Sequence, residues 1–172
     1  MKRFLTAFGT ALTLVILINS CSITYKFDGA SVDYNLIKTI SIQDFPNHAM
    51  KVNPDLSFQF SDALRNKFIR QTRLRIVENN ADLEIEGEIT GYDQRESGVR
   101  VDNAFNAMAE LVVTVRVRYV NNKRPADDLD QSFTSAKSFP NDRFLDDVLP
   151  ELLPQIIDDL VDQIYNATLG NW

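Results

Sequence analysis

The sequence predicts an α+β fold: a two-layer sandwich in which a mostly antiparallel sheet of four to five strands carries two amphipathic helices on one face. Two kinds of pattern support this prediction. Apolar and polar residues alternate with a period of two in residues 83–90 and 109–121, which is typical of strands with one buried face. Apolar residues recur every three or four positions in residues 56–68 and 149–164, which indicates helices with one buried stripe.

The first two predicted elements are a strand and a helix. Residues 37–45 are rich in β-forming side chains and end at Pro46, so a strand is predicted there. A helix is predicted to begin after Asn53, because Asn is a favoured N-cap and Pro54 suits the first helical position. Its buried stripe consists of Leu56, Phe60, Leu64 and Phe68. Residues 74–78 are a candidate for one more short strand, which leaves the strand count at four or five.

The clearest strands form the centre of the predicted sheet. The first covers residues 83–90 and is expected to end at Gly91, the second covers residues 109–121, and residues 94–108 are expected to form the connection. Antiparallel pairing places three glutamates opposite two arginines on the wet face of the sheet, namely Glu84, Glu86, Glu88, Arg116 and Arg118. Such cross-strand opposite charges contribute roughly 0.2–1 kcal/mol each. We interpret the glutamates as surface charges, and a hydrolase that uses them as acid and base is the alternative.

The chain ends with a strand and a helix. Residues 121–125 form a predicted turn, and residues 131–139 form the last predicted strand. A helical pattern then runs from residue 144 to residue 165. Because proline removes a helical hydrogen bond, we expect a short first turn and then a main helix that begins near Pro150 and is kinked at Pro154.

The N-terminal segment has the features of a lipoprotein signal peptide. Lys2 and Arg3 precede an apolar segment, which ends at the only cysteine of the chain, Cys21. Residues 18–21, Ile-Asn-Ser-Cys, have the form of a bacterial lipobox. A resemblance to bacterial lipoproteins implies cleavage before Cys21, acylation of Cys21 and an anchor in a membrane. Ser22, in place of an aspartate, favours the outer membrane. The alternative is a secreted soluble protein in which Cys21 is incidental.

This cleavage would divide the chain into a signal peptide of residues 1–20, a lipidated tether of residues 21–36 and a single domain of residues 37–172. The 152 residues that remain are enough for one hydrophobic core. They carry 16 basic and 24 acidic residues, a net charge of −8, so nucleic acid is not an expected partner. One cysteine and one histidine, His48, exclude a Cys/His metal site, and no cofactor is expected. His48 is predicted to be a surface loop residue.

Four segments occur in a particular order after the lipobox. They are Val-Asn-Pro-Asp-Leu-Ser at 52–57 with the helix that follows, Asp-Leu-Glu-Ile-Glu-Gly-Glu-Ile-Thr-Gly-Tyr at 82–92, Val-Arg-Val-Arg-Tyr at 115–119 and Ile-Tyr-Asn-Ala-Thr-Leu-Gly-Asn-Trp at 164–172. In this order the chain resembles the LptE family of lipopolysaccharide-assembly lipoproteins, in its Bacteroidetes-like form. No single segment is specific, and the resemblance is clearest over residues 37–172.

The resemblance implies a non-enzymatic α+β sandwich in the outer membrane that faces the periplasm, plugs the lumen of the β-barrel LptD, assists its assembly and binds lipopolysaccharide. Because lipopolysaccharide carries phosphates, basic side chains are its candidate contacts. They are Arg116, Arg118, Lys123 and Arg124, together with Arg95 and Arg100 of the predicted connection. The alternative from another class is an envelope lipoprotein that acts as a protein-binding scaffold and has no lipopolysaccharide role. Recovery of a large barrel partner would distinguish the two.

Overall fold

In the computed structural model the described residues are 32–51, 53–101 and 104–169, and only the backbone is described for residues 97–101 and 104–107. The predicted signal peptide, Cys21 and most of the predicted tether lie outside these residues. The elements in chain order are β1 (Thr39–Ile42), α1 (Pro54–Gln71), β2 (Arg75–Ile76), β3 (Leu83–Val101), β4 (Ala104–Asn121), a 3-10 turn (Pro125–Asp127), β5 (Leu129–Pro140) and α2 (Leu145–Thr168).

The strands form one sheet in the order β2-β1-β3-β4-β5, and the predicted α+β class is confirmed. β4 is antiparallel to β3 and to β5, whereas β1 is parallel to both of its neighbours. The parallel pairs arise because α1 forms the crossover between β1 and β2, and parallel strands need such a connection. After β1 the backbone stays beside β3, where the amide of His48 donates to the carbonyl of Ile89 over 2.9 Å.

Helix α1 begins where the sequence predicts. The side chain of Asn53 accepts hydrogen bonds from the amides of Asp55 and Leu56, over 3.0 and 3.2 Å, and so caps the helix. The predicted stripe of Leu56, Phe60, Leu64 and Phe68 is fully buried. The helix ends at Gln71, after which the amide of Thr72 donates to the carbonyl of Phe68 over 3.0 Å.

The predicted connection at residues 94–108 is wrong, because this segment continues the two central strands. β3 and β4 pair without interruption by a loop from Leu83 opposite Asn121 to Val101 opposite Ala104. The alternation breaks at Gly91 because a β-bulge between Ile89 and Gly91 adds one residue to β3. The bulge moves the core-facing residues of β3 from odd to even numbers. Strict alternation of apolar and polar residues therefore predicts that the strand ends at Gly91.

The hairpin of β3 and β4 extends beyond the rest of the sheet. The last pair between β4 and β5 is Met108 opposite Pro140. From there to Val101 and Ala104 no other described strand pairs with the hairpin, which is a two-stranded ribbon. An isolated two-stranded ribbon is only marginally stable in water.

The prediction of a separate first turn before α2 is also wrong. α2 is one helix from Leu145 to Thr168, and Pro150 and Pro154 lie inside it. Both prolines are on the exposed side of the helix, so water can satisfy the carbonyls that lose a partner. The opposite side of α2 is held against the core by eight buried residues: Val148, Leu152, Leu153, Ile156, Ile157, Leu160, Val161 and Ile164. Among the described helices, none combines the length and the apolar character that a membrane crossing requires.

The two helices cover the inner face of the sheet and form one hydrophobic core with it. The rings of Phe45 and Phe60 meet edge-on with centres 5.1 Å apart, and those of Phe68 and Tyr165 do so at 5.4 Å. Each large side chain buried in this core contributes about 1.5–3 kcal/mol by removal from water. The inner face therefore supplies stability, and neither described helix covers the outer face of the sheet.

Candidate functional site

The outer face of the sheet carries an ordered array of charges. Its centre is formed by Glu84, Glu86 and Glu88 of β3, Arg116 and Arg118 of β4, and Asp130 of β5, and we call these residues the charged face. The antiparallel register sets Glu86 opposite Arg118 and Glu88 opposite Arg116, while Asp130 lies on the other side of Arg118. The predicted juxtaposition of glutamates and arginines is therefore confirmed.

The ion pairs on the charged face follow the register only in part. Arg118 contacts Glu86, with nitrogen and oxygen 2.8 Å apart. Arg116 instead makes a two-pronged contact with Asp130, at 3.0 and 3.1 Å. The guanidinium of Arg116 lowers the pKa of Asp130, and Asp130 raises the pKa of Arg116 by hydrogen bonding and charge. These side chains are half-exposed, so water and salt weaken their mutual attraction.

The remaining two glutamates of the charged face also have partners. The Nδ1 atom of His48 is 2.8 Å from a carboxylate oxygen of Glu88, and the side-chain amide of Asn122 donates to Glu84 over 3.0 Å. The exposed side chain of His48 agrees with the predicted surface position. Each glutamate is thus engaged in a surface contact, and the described residues contain no group of three or more His, Cys, Asp or Glu side chains suited to a metal ion.

A shallow groove of about 430 Å³ crosses the charged face between β5 and the segment after β1. Its wall consists of Gln43, Asp44, Pro46, Glu86, Gly87, Glu88, Arg116, Arg118 and Asp130. Four carboxylates and two guanidinium groups thus surround the groove. Such a surface offers hydrogen-bond donors and acceptors side by side, which suits polar contacts with a protein or a headgroup.

Lys123 and Asp82 form a structural clamp that the sequence did not predict. The ammonium of Lys123 lies 3.1 Å from the carboxylate of Asp82, which also accepts hydrogen bonds from the amides of Lys38 and Thr39. The backbone amide of Lys38 and the ammonium of Lys123, in that order, hold the pKa of Asp82 well below its ordinary value. The clamp ties the start of β1 to the turn before β3. Its only sequence signal is an aspartate directly before a strong strand pattern.

The other predicted contacts occupy separate places. Arg124 is exposed and directly precedes the 3-10 turn. This turn lies at the same end of the sheet as the Asp82 clamp. Arg95 is exposed on β3 and lies opposite Glu110, so it belongs to a strand and not to the predicted loop. The backbone of Arg100 is also part of β3, and its side chain lies outside the described residues. Among the predicted contacts whose side chains the structure describes, Arg116 and Arg118 are the two that share the groove on the charged face.

Residues 37–168 match the model of one protein family, described as LptE: Lipopolysaccharide-assembly. The match includes every described strand and both described helices. Among curated proteins, no sequence matches this chain significantly.

Several solved structures align with this chain at low sequence identity. The hypothetical protein CT253 from Chlamydia trachomatis is 10% identical, with a TM-score of 0.50, and the alignment covers 78% of this chain and 99% of that one. The minor lipoprotein from Acinetobacter baumannii is 18% identical, with a TM-score of 0.46 and coverages of 78% and 94%. The rare lipoprotein B from Shewanella oneidensis is 10% identical, with a TM-score of 0.45 and coverages of 77% and 92%. At 10% identity the similarity to CT253 concerns the fold alone.

Proposed function

Because this chain belongs to the LptE family of lipopolysaccharide-assembly proteins, we propose that it plugs an LptD-type β-barrel in the outer membrane, assists its assembly and binds lipopolysaccharide during insertion into the outer leaflet. The observation that carries the proposal is the family match over residues 37–168. As a member of this family, the protein is a non-enzymatic lipoprotein of the cell envelope that is associated with lipopolysaccharide transport.

The distribution of polar residues supports a position inside a barrel. The lumen of an outer-membrane barrel is polar, so a domain that fills it needs a polar surface all round. The charged face supplies such a surface on one side of the sheet. On the other side, the outward faces of the helices carry exposed charges, among them Asp62 of α1 and Asp158 of α2. The long hairpin adds a polypeptide ribbon that can reach further into the lumen.

The charged face is also the proposed lipopolysaccharide contact. Arg116 and Arg118 present two guanidinium groups to the same groove, and guanidinium binds phosphate oxygens in a two-pronged geometry. Their present partners, Asp130 and Glu86, are exposed carboxylates in weak ion pairs, and a phosphate would displace them against the repulsion of the four carboxylates around the groove. Lys123 and Arg124 lie at a different edge and would form a secondary contact, and Lys123 would first have to leave Asp82.

Attachment to the membrane is proposed to occur through acyl chains on Cys21. Several acyl chains on one cysteine give stable attachment, whereas a single chain gives only reversible binding. The core of the described residues is formed from Ile37 onward, with Val32 packed against it, and Cys21 lies outside the described residues. Acylation would therefore determine where the protein is and leave its fold unchanged.

Depletion of the protein from its own bacterium tests the proposal. We expect less lipopolysaccharide at the cell surface and less correctly assembled barrel, and both should return when the wild-type chain is expressed. A Cys21→Ser chain should fail to restore them and should be missing from the outer-membrane fraction. Normal surface lipopolysaccharide after full depletion would contradict the proposal.

A further inference from the structure

One end of the domain, next to the first described residues, combines exposed bases with exposed apolar side chains. The bases are Lys38, Arg70, Arg73 and Arg75. The apolar side chains are Tyr34, Leu36, Ile69 and Ile76, which are 38–54% exposed. We call these eight residues the basic end. Bases beside half-exposed apolar groups are a pattern typical of surfaces that lie in a membrane interface.

Direct contacts join the segments that carry the basic end. The amide of Arg75 donates to the carbonyl of Lys38 over 3.0 Å, and the guanidinium carbon of Arg73 lies 6.0 Å from the centre of the Tyr34 ring. Arg70 lies in the last turn of α1, close to Arg73 in the chain. These contacts bring Tyr34, Lys38, Arg73 and Arg75 together where the C-terminal end of α1 meets the edge strand β2. The other four residues of the basic end, Leu36, Ile69, Arg70 and Ile76, belong to the same segments of the chain.

Few acids oppose these four bases. The acids nearest in the chain are Asp33, Asp44, Glu78 and Asp82; Arg65 already pairs with Asp44, and Lys123 already pairs with Asp82. The carboxylate of Asp33 accepts a hydrogen bond from the amide of Asn35 over 3.0 Å. The basic end is thus locally positive in a chain whose net charge is −6. A protein with this asymmetry turns its positive end toward an anionic surface.

We propose that, before the protein enters its barrel, the basic end docks on the anionic lipid leaflet that holds the acyl chains of Cys21. This inference rests on the acylation of Cys21 that the proposed function includes. The chain between Cys21 and Val32 reaches at most about 40 Å when fully extended. The tether therefore keeps the basic end near the leaflet, while the far end of β3, a strand of 19 residues, lies roughly 60 Å away from its start.

The chemistry of the basic end fits a leaflet that contains phosphatidylglycerol or another anionic phospholipid. Lys and Arg near such a surface each strengthen binding, and a basic patch together with acyl chains gives a more stable attachment than either alone. The hydrocarbon parts of the Lys and Arg side chains and the four apolar side chains can enter the headgroup region. The charged groups of Lys and Arg then stay among the lipid phosphates. Docking would hold the anchored domain against the membrane and leave the hairpin end free.

A polarity-sensitive fluorophore tests this docking on the mature lipidated protein in vesicles. One variant carries the probe at Asn35→Cys, in the basic end, and another carries it at Met50→Cys, a fully exposed position outside the basic end. In vesicles with phosphatidylglycerol we expect a blue shift at residue 35 and none at residue 50. The shift should be absent in phosphatidylcholine vesicles and should disappear in about 1 M salt, where the screening length falls to about 3 Å.

Two charge-matched variants complete the test. Arg73→Gln with Arg75→Gln should abolish the shift at residue 35, whereas Lys51→Gln with Arg143→Gln should preserve it. The same shift in phosphatidylcholine vesicles, or a shift that survives Arg73→Gln with Arg75→Gln, would overturn docking by charge. The mass of the mature protein reports acylation of Cys21 independently, and barrel recovery from cells tests the proposed function, so failure of docking and failure of that function are distinguishable.

Discussion

Arg116 contacts Asp130 on β5 with two nitrogens, at 3.0 and 3.1 Å, although Glu88 is its direct neighbour on β3. Glu88 is instead engaged by His48 at 2.8 Å. The charged face is therefore a set of local pairs that spans β3, β4 and β5, with His48 at its edge. Since these pairs are exposed, they shape the surface for a partner more than they stabilise the fold.

Replacement of Arg116 and Arg118 by alanine should weaken binding of purified lipopolysaccharide roughly tenfold or more, because two charge-assisted contacts to phosphate are lost. The charge-matched control is Lys51→Ala with Arg143→Ala, two exposed bases off the charged face. Binding is measured by titration, and circular dichroism checks the fold of both variants. Equal affinity of the two folded variants would remove the charged face from the proposed contact.

Replacement of Asp82 by asparagine should lower the free energy of unfolding by about 1.5–3 kcal/mol at neutral pH, since the carboxylate accepts several hydrogen bonds and holds Lys123. Denaturant unfolding measures the difference, with Asp158→Asn, an exposed aspartate of α2, as the control.

The pH dependence of the same variant gives a second test of the clamp. The folded pKa of Asp82 lies below the unfolded value, which is about 3.9. Its contribution is therefore complete above the unfolded pKa and is lost as the pH falls toward the folded pKa. The difference between wild type and Asp82→Asn should shrink below about pH 4. A difference that stays constant down to pH 2 would show that charge on Asp82 contributes nothing.

Replacement of Gly87 by alanine should destabilise the domain by about 1–3 kcal/mol through overpacking. An added Cβ would lie 2.5 Å from the ring of Phe45 and would collide with the carbonyl oxygen of Arg116. Gly91→Ala is the matched control on the same strand, because the nearest atom to its Cβ would be the Cβ of Thr114, at 3.2 Å. Thermal unfolding should therefore show a larger decrease for Gly87→Ala. An equal decrease would mean that the packing over Gly87 is not special.

Shortening of the β3–β4 hairpin tests whether the hairpin binds the barrel without contributing to the stability of the domain. Replacement of residues 97–108 by Asn-Gly joins Glu96 and Ala109, which face each other in the register, through a two-residue turn. Because β5 pairs with β4 only up to Met108, we expect a melting temperature close to that of the wild type and a weaker association with the barrel. Loss of folding, or full retention of the barrel, would contradict this assignment.

Much of the fold could be predicted from single residues and short periods. Asn53 and Pro54 fixed the start of α1, and the alternation around Ile85 and Val115 identified the central strands. The hairpin extension was missed because the bulge at Gly91 shifts the alternation by one residue. The continuity of α2 was not predicted, because the sequence shows the hydrogen bonds that the two prolines remove. It does not show directly the burial of the eight side chains that hold the inner side of this helix against the core.

The candidate site was harder to predict because its partners come from distant parts of the chain. The register brought Arg118 to Glu86 as expected, since both lie on strands with a clear pattern. Asp130 was not expected as a partner, because it lies at the start of an edge strand whose register depends on the preceding turn. The pairing of Lys123 with Asp82 joins two turns 41 residues apart, and no local pattern encodes it.

Affinity purification of the tagged mature protein from detergent-solubilised outer membrane tests the central claim most directly. The account predicts that a large LptD-type β-barrel is recovered in amounts comparable to the bait and that it is lost from the same purification with an untagged chain. Recovery of a different envelope protein in comparable amounts, with no large barrel, would contradict the account and would support the scaffold alternative.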